Sequence, residues 1–296
     1  MLIDGNAILH RAYHAIPKTL TSRTGDPINA VYGFTSMLLR LISDLDPSHI
    51  AICFDRSEPT FRHTAFEKYQ SHRPAMDEGL SVQFDVARKV AQAFCIPVFD
   101  KVGYEADDLI GTIAQNCKKD IDSVVIVTGD RDILQLVDDK VSVFLPTKGI
   151  SEGKLMGVTE VIEKMGVTPS QVADLKALTG DSSDNYPGVP GVGPKTAVNL
   201  IKEFNTFGEV YKNVDNINPK VAEKLVQGEE SGKMSYHLAQ IIKNAPIEID
   251  INEMNKWNLG NPAVMALFVE IGFKTLRERV EKMARDYDKK RQLDLI

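Results

Sequence analysis

Cysteine is scarce and no long apolar run occurs, and each shortage removes a class of protein. Cys53, Cys95 and Cys117 lie in apolar runs without metal-ligand spacing. They predict reduced core thiols in a cytosolic protein, neither a disulfide framework nor a zinc site. The six histidines are expected to be surface or core residues rather than metal ligands. No Ser/His/Asp or Cys/His arrangement offers a nucleophile. Without a signal peptide or a membrane-length apolar stretch, the expectation is a cytoplasmic, monomeric protein with no membrane span. A basic excess is missing too. The net charge of −6 gives no hint of nucleic acid, so such a partner would need local basic patches beside an acidic site. The 296 residues allow one large domain or two smaller ones, with no internal repeat or low-complexity segment.

Acid at the ends of apolar strands is what the chain has in abundance. Met1–Asp4, His49–Asp55 and Ser123–Asp130 are short apolar runs that each finish on an aspartate. Further strands are expected at Ile96–Phe99 and Val141–Leu145. Helices between them, over Asn29–Leu45 and Ser81–Phe94, show apolar residues at helical spacing. Alternating strands and helices predict an α/β fold whose mostly parallel central sheet is covered on both faces. Ligands of such sheets bind beyond the carboxyl ends of the strands. Asp4, Asp55 and Asp130 therefore point to one shared site. Glu105, Asp107 and Asp108 join them at a helix start, with Glu105 and Asp108 on one face and Asp107 about 100° around. Acids also favour helix starts for their own sake, and Asp130 also suits an N-cap for the turn at Asp132.

Two other stretches stand out. Between Arg56 and Gly79, bases and aromatics interleave (Arg62, His63, Phe66, Lys68, Tyr69, His72, Arg73) with poor apolar spacing, so an exposed segment is expected. Cations there would meet phosphates and aromatics would stack on bases; the plainer alternative is a solvated helix with a few core contacts. The second stretch, Leu178–Thr196, holds Asp181 and Asp184 in a polar turn and then a glycine hairpin from Gly188 to Gly193. Gly191 and Gly193 tolerate positive φ, and Pro194 suits the first position of a helix whose free N–H groups would face a phosphate. Lys195 and Thr196 add a charge and a hydroxyl. A nucleotide P-loop would need lysine where Pro194 stands. Beyond Gly149 short helices dominate, ending in a charged one from Lys274.

Asp4, Asp55, Glu105, Asp107, Asp108, Asp130, Asp132, Asp181 and Asp184 would repel one another and any phosphate unless cations joined them. All-oxygen ligands favour Mg²⁺ or Mn²⁺. Two such ions about 4 Å apart suit in-line attack of water on a phosphodiester.

The motifs Leu-Ile-Asp4-Gly, Phe-Asp55, Gly-Tyr-Glu105-Ala-Asp107-Asp108, Thr-Gly-Asp130-Arg-Asp132 and Thr-Gly-Asp181-Ser-Ser-Asp184-Asn-Tyr-Pro-Gly-Val stand in order along the chain. They resemble the bacterial 5′-nuclease family, the 5′→3′ exonuclease and flap endonuclease domain of DNA polymerase I and its free-standing relatives. The resemblance implies a PIN-like α/β domain over residues 1–157 with a helical arch near 56–80. A helical domain over 158–296 would follow, carrying a helix–three-turn–helix DNA-binding element. It implies catalysis by Asp4, Asp55, Asp107 and Asp130, with the full carboxylate set holding two ions. DNA contacts would come from Arg11, Arg62, Tyr69, Gln70, Arg73, Gly191, Gly193, Lys195 and Thr196. A K⁺ at the Gly188–Gly193 hairpin and a covalently linked or associated polymerase are further implications. The family usually carries lysine where Gln70 stands, a departure bearing on rate more than on reaction type. The implied activity is cleavage of DNA at 5′ flaps and 5′ ends in primer removal and repair. The competing readings are a DNA-binding module without catalysis and a PIN-like ribonuclease.

Overall fold

The computed structural model describes residues 1–147 and 153–293; the stretch 148–152 and the end of the charged tail, 294–296, lie outside the described residues. The chain runs through β1 (Leu2–Asp4), α1 (Gly5–Ala15), α2 (Asn29–Leu45), β2 (Ala51–Cys53), α3 (Phe61–Ala65), α4 (Glu78–Ala93), β3 (Val98–Phe99), α5 (Ala106–Cys117), β4 (Val124–Val127), β5 (Val141–Pro146) and β6 (Gly153–Met156). Helices then take over: α6 (Val158–Met165), α7 (Val172–Thr179), α8 (Pro194–Phe204), α9 (Phe207–Lys212), α10 (Pro219–Gln227), α11 (Glu229–Ala239), α12 (Ile251–Met254), α13 (Pro262–Ile271) and α14 (Lys274–Leu293).

The strands form one sheet in the order β3-β2-β1-β4-β5-β6. All neighbours are parallel except β5 and β6. Successive side chains on a strand point to opposite faces, and here both faces are apolar. Leu2, Cys53 and Ile126 pack into one core with α5 and the helices that follow β6. Ile3, Ile52 and Val127 pack into the other with α1, α2, α4 and α13. Because both layers demand apolar residues, the strands read as unbroken hydrophobic runs. The parallel order brings the carboxyl ends of β1, β2 and β4 side by side, and with them the residues that follow each strand.

Several details depart from the sequence reading. Strand β6 was not expected: it pairs antiparallel with β5 at the sheet edge, and only Met156 of its four residues is buried, so it carries no alternation to read. The helix expected over Gly232–Asn244 stops at Ala239. Beyond it, Ile241 N–H donates to Gln135 Oε1 (3.0 Å) and Ile242 N–H to Asp108 Oδ1 (2.9 Å), tertiary partners that replace the next helical turn. Cys95 is not a core thiol: it is exposed, with φ of 57°, whereas Cys53 and Cys117 are buried. The stretch expected to stand out as an arch has one short helix, α3, and otherwise folds down in turns that bury Arg62 and Tyr69 to 3% exposure each. At residue 157 the apolar core continues without a break, since Met156, Val161 and Leu178 share one cluster with Val143.

Candidate active site

The acids at the strand ends are held in place by the first turns of the helices that follow. Asp4 caps α1, its Oδ1 accepting from Ala7 N–H (2.9 Å), while Thr128 Oγ1 donates to its Oδ2 (2.7 Å). Asp55 accepts from Ala106 N–H at the start of α5 (2.7 Å), and Asp130 accepts from Asp132 N–H (2.8 Å). Each carboxylate is thus oriented by a backbone donor, as at any helix start. Unlike a plain cap, each also opens into a common cleft of about 780 Å³. Glu105, Asp107, Asp132 and Asp184 line the same cleft.

Two expected ligands do not line it. Asp108 is fully buried. Its oxygens accept from Arg62 Nη1 (2.7 Å) and Nη2 (2.8 Å), from Glu105 N–H (3.1 Å) and from Ile242 N–H (2.9 Å). With its acceptors committed and no exposure, Asp108 is a structural acid, which corrects its assignment to the metal set. Arg62 is corrected with it. It lines the cleft wall at 3% exposure, with its remaining donors spent on Glu105 (3.3 Å), Leu238 O (2.9 Å) and Gln240 O (2.8 Å), which leaves none for a threaded strand. Helix periodicity had put Glu105 and Asp108 on one face. At a first turn, however, the N-cap and the third residue face each other in a capping box, and the side chain between them, Asp107, points into the cleft.

Asp181 lies behind the cleft wall, where Lys176 joins it to Asp132. Lys176 Nζ donates to Asp181 Oδ2 and lies 2.6 Å from Asp132 Oδ1. Ser183 N–H (2.6 Å) and Oγ (2.5 Å) complete the shell around Asp181. Sequence reasoning missed Lys176; on a short helix it looked like any solvated lysine.

The expected DNA contacts of the 66–73 segment point at the acids. Tyr69 Oη donates to Glu105 Oε2 and Asp184 Oδ2, both at 3.3 Å. Gln70, at a left-handed φ of 54°, donates from Nε2 to Asp184 Oδ1 (3.1 Å) and from its N–H to Asp184 O (2.9 Å). Arg73 Nη2 lies 2.5 Å from Asp184 Oδ1. Tyr69, Gln70 and Arg73 all line the cleft, whereas Arg11, half-buried on α1, does not. The segment is a cationic strap docked over the acidic floor.

The glycine hairpin sits to one side. Gly180 (φ 70°) and Gly188 (φ 65°) cross so closely that a Cβ on Gly188 would fall 2.1 Å from Gly180 N, which admits only glycine. Gly193 caps α8, Pro194 occupies the first helical position, and Lys195 is exposed beside the half-buried Thr196. Three of the carbonyls proposed for K⁺ already accept hydrogen bonds. Gly188 O accepts from Ser231 Oγ (2.6 Å), Val189 O from Val192 N–H (3.0 Å) and Gly191 O from Lys224 Nζ (3.0 Å). A K⁺ at Gly191 O would have to displace an ammonium.

Proton affinities reflect the crowding. Burial, with Asp55 and Asp130 nearby, pushes Asp4 up to about 7 against the donors that hold it. Burial and neighbouring acids push Glu105 to about 7 against the pull of Arg62, and Asp132 to about 7 against Lys176. Asp107 is raised well above the carboxylate range by burial and the surrounding charges, and Asp55 and Asp130 move the same way. Asp181 goes down, because Lys176 and Ser183 outweigh its burial. Among the described residues no three carboxylate, imidazole or thiolate groups form a ready-made metal cage. The donor set nonetheless fits hard divalent cations: it is all oxygen, it repels itself, and it is offset near Asp132 only by one lysine ammonium.

An all-oxygen acidic cleft at the carboxyl edge of a parallel sheet, under a cationic strap and beside a glycine hairpin, defines the nuclease class of PIN-like α/β proteins. Residues 1–166 match the 5′-3′ exonuclease, N-terminal resolvase-like domain, and residues 167–261 match the 5′-3′ exonuclease, C-terminal SAM fold. The chain belongs to the 5′-3′ exonuclease family. It is 38% identical over 297 residues to DNA polymerase I of Bacillus subtilis, covering 100% of this chain and 34% of that protein. It is 40% identical over 283 residues to DNA polymerase I of Mycobacterium leprae, covering 95% and 31%. The chain therefore spans about a third of the length of these relatives. Among solved structures, bacteriophage T5 D15 flap endonuclease in a pseudo-enzyme-product complex with DNA and metal ions matches with a TM-score of 0.67 at 22% identity, covering 94% of this chain and 98% of that one. The catalytic core of Rad2 in complex with DNA substrate matches at 0.57 and 16%, covering 94% and 90%. Both share this fold. No helix among the described residues is long and apolar enough to cross a membrane.

Proposed function

We propose that this chain is a divalent-metal-dependent 5′ nuclease acting on DNA at 5′ flaps and 5′ ends, in the setting of primer removal and repair and in association with a polymerase. The observation that carries the reading is the convergence of Asp4, Asp55, Glu105, Asp107, Asp130, Asp132 and Asp184 on one cleft roofed by Tyr69, Gln70 and Arg73. Asp4, Asp55, Glu105 and Asp107 would hold one Mg²⁺ or Mn²⁺, and Asp130, Asp132 and Asp184 the second, with Asp181, behind the cleft wall, reaching it through water. Such ions supply a nucleophilic water at neutral pH and stabilise the developing charge on phosphoryl oxygens.

The chain's own residues would do the rest. Arg73 and Gln70, now on Asp184, would turn to a phosphate as a cation takes their place on that carboxylate. Tyr69, in van der Waals and hydrogen-bond contact with the floor, would exclude water from the cleft. Lys176 would leave Asp132 as the second ion binds. Gly193, Lys195 and Thr196 would hold the duplex at the start of α8, where free N–H groups favour a phosphate.

Release of a 5′-labelled DNA flap, measured with Mg²⁺ and with EDTA, tests the reading. Mg²⁺-dependent release is expected, with an RNA flap cut poorly. Binding without product in either Mg²⁺ or Mn²⁺ would instead support a non-catalytic module, and preference for RNA would support a ribonuclease.

At the hairpin, Lys224 stands where a monovalent ion would otherwise neutralise Gly191 O. Flap affinity should then be equal in KCl and NaCl at matched ionic strength. Lys224→Ala should weaken it by about 3–10-fold, the net scale of one ordinary hydrogen bond. A marked preference of the unaltered protein for K⁺ would rule this out.

A further inference from the structure

The acids of the cleft are not equally open to a cation. Among the described residues, ion pairs fall on Glu105, Asp132 and Asp184, and none reaches Asp4, Asp55, Asp107 or Asp130. Glu105 meets a guanidinium already committed to Asp108, and the cation on Asp184 is Arg73 of the strap, half-exposed and free to turn. Asp132 differs, because its cation is built in. Lys176 Nζ lies 2.6 Å from Asp132 Oδ1 and donates to Asp181 Oδ2, with only 16% of its side chain exposed. It is carried by α7, which packs against α11 and against the turn Asp132–Leu136. Burial alone would lower the proton affinity of Lys176, but Asp132 and Asp181 raise it above the ordinary lysine value, so it stays charged. An ammonium held there gives the two carboxylates what a metal ion would give them, a positive charge at contact distance.

We propose that Lys176 is the resident counter-cation of the second ion site, a positioning residue that weakens divalent binding at Asp132 by holding that carboxylate until the ion displaces it. The inference rests on the metal-dependent reading of the cleft and adds which side chain sets the strength of one of its sites. An ion arriving at Asp132 must break a charge-assisted hydrogen bond and then remain beside the ammonium, which Asp181 retains on the far side of the wall. Both effects oppose the ion, and no such cation meets Asp4, Asp55 or Asp107. In the empty protein the same lysine stabilises the fold, since without it two largely buried carboxylates would face each other unpaired.

Lys176→Gln removes the charge and keeps a donor, whereas Lys176→Arg keeps the charge. Two measurements apply, both without DNA: Mn²⁺ binding by electron paramagnetic resonance, and thermal unfolding in EDTA and in saturating Mn²⁺. Lys176→Gln should bind Mn²⁺ about 10–100-fold more tightly at the weaker site, the scale of removing a unit charge beside a partly buried ion, with the tighter site unchanged. It should melt lower than the parent in EDTA yet gain more from Mn²⁺. Lys176→Arg should bind no more tightly than the parent. Should Lys176→Gln fail to fold, Lys176→Met, which fills a similar length without charge, carries the same expectation. A lysine that only ties α7 to the turn would give a lower melting temperature in EDTA and unchanged Mn²⁺ affinity, and that result overturns the proposal. An equal rise in affinity with Lys176→Arg would trace the effect to packing and overturn it too. If the parent protein binds no Mn²⁺ at all, the metal-dependent reading fails first, and that outcome is visible before any variant is compared.

Discussion

Arg62→Met is expected to cost about 3–5 kcal/mol of stability, the penalty for breaking a buried ion pair from one side. The guanidinium holds both oxygens of a carboxylate with no exposure, and two backbone carbonyls at the end of α11 besides. Met can fill much of the space but leaves the Asp108 charge with only the N–H groups of Glu105 and Ile242. Burial alone would lower the proton affinity of Arg62, but Asp108 and Glu105 raise it above its ordinary value, so the guanidinium stays charged. The melting temperature should fall by roughly 10 °C. The double variant Arg62→Met with Asp108→Asn should recover part of the loss, because it removes the stranded charge and keeps an acceptor for one of the two N–H groups, which meet different oxygens of Asp108. An Arg62 that served DNA would behave differently: the variant would melt like the parent and bind a flap more weakly. That result would refute the structural role.

Asp55→Asn and Asp130→Asn should each lower Mg²⁺-dependent flap cleavage by at least about 10²-fold, a loss typical of removing one group aimed at transition-state charge. Both positions accept a backbone N–H through one oxygen, which an amide oxygen can still do, so neither variant should unfold. Each removes one negative charge from a cleft where neighbouring acids raise the proton affinity of the others. Melting in EDTA should therefore be unchanged or slightly higher, while the protection given by Mg²⁺ should shrink. Asp108→Asn supplies the contrast. It should lower stability while leaving Mg²⁺ protection per ion intact, because Asp108 faces Arg62 and not the cleft. If Asp55→Asn and Asp130→Asn both cleave like the parent protein, the acids have been assigned to the wrong work.

The strap gives the acids a second significance. Three of its side chains, Tyr69, Gln70 and Arg73, converge on Asp184, which also receives the Gln70 N–H at its carbonyl. Asn185 fastens the other end, donating to Lys68 O (2.8 Å) and Ser71 Oγ (3.1 Å). Gln70 thus has a local reason to be an amide: it can donate to Asp184 without adding a third cation beside Arg73 and Lys176. The left-handed backbone at Gln70 is what turns its N–H toward the Asp184 carbonyl.

Much of this was readable along the chain, and the reason is local. A strand buried on both faces must be apolar throughout, so β1, β2 and β4 announced themselves, and an aspartate directly after each had to lie at the same sheet edge once the strands were parallel. Pro194 after Gly193 marked the start of α8 to the residue, because a proline ring and a free helix N-terminus leave few alternatives. Three cysteines without metal-ligand spacing gave no reason in the sequence to expect a zinc site or a disulfide framework. What the tertiary structure alone decided was which polar groups are spent inside the protein. Glu105, Asp107 and Asp108 look alike in sequence, but only the packing of α3 and residues 238–242 against α5 turns Asp108 inward onto Arg62. Lys176 and Lys224 look like solvated lysines until folding sets one between Asp132 and Asp181 and the other on Gly191 O. Tyr186 stands in a polar turn of the sequence, and folding buries its hydroxyl without a partner among the described residues. Residues more than a hundred positions apart supply several of these contacts, and no local pattern encodes them; they follow from burial, where each charge and donor must find its complement or remain poised for a ligand.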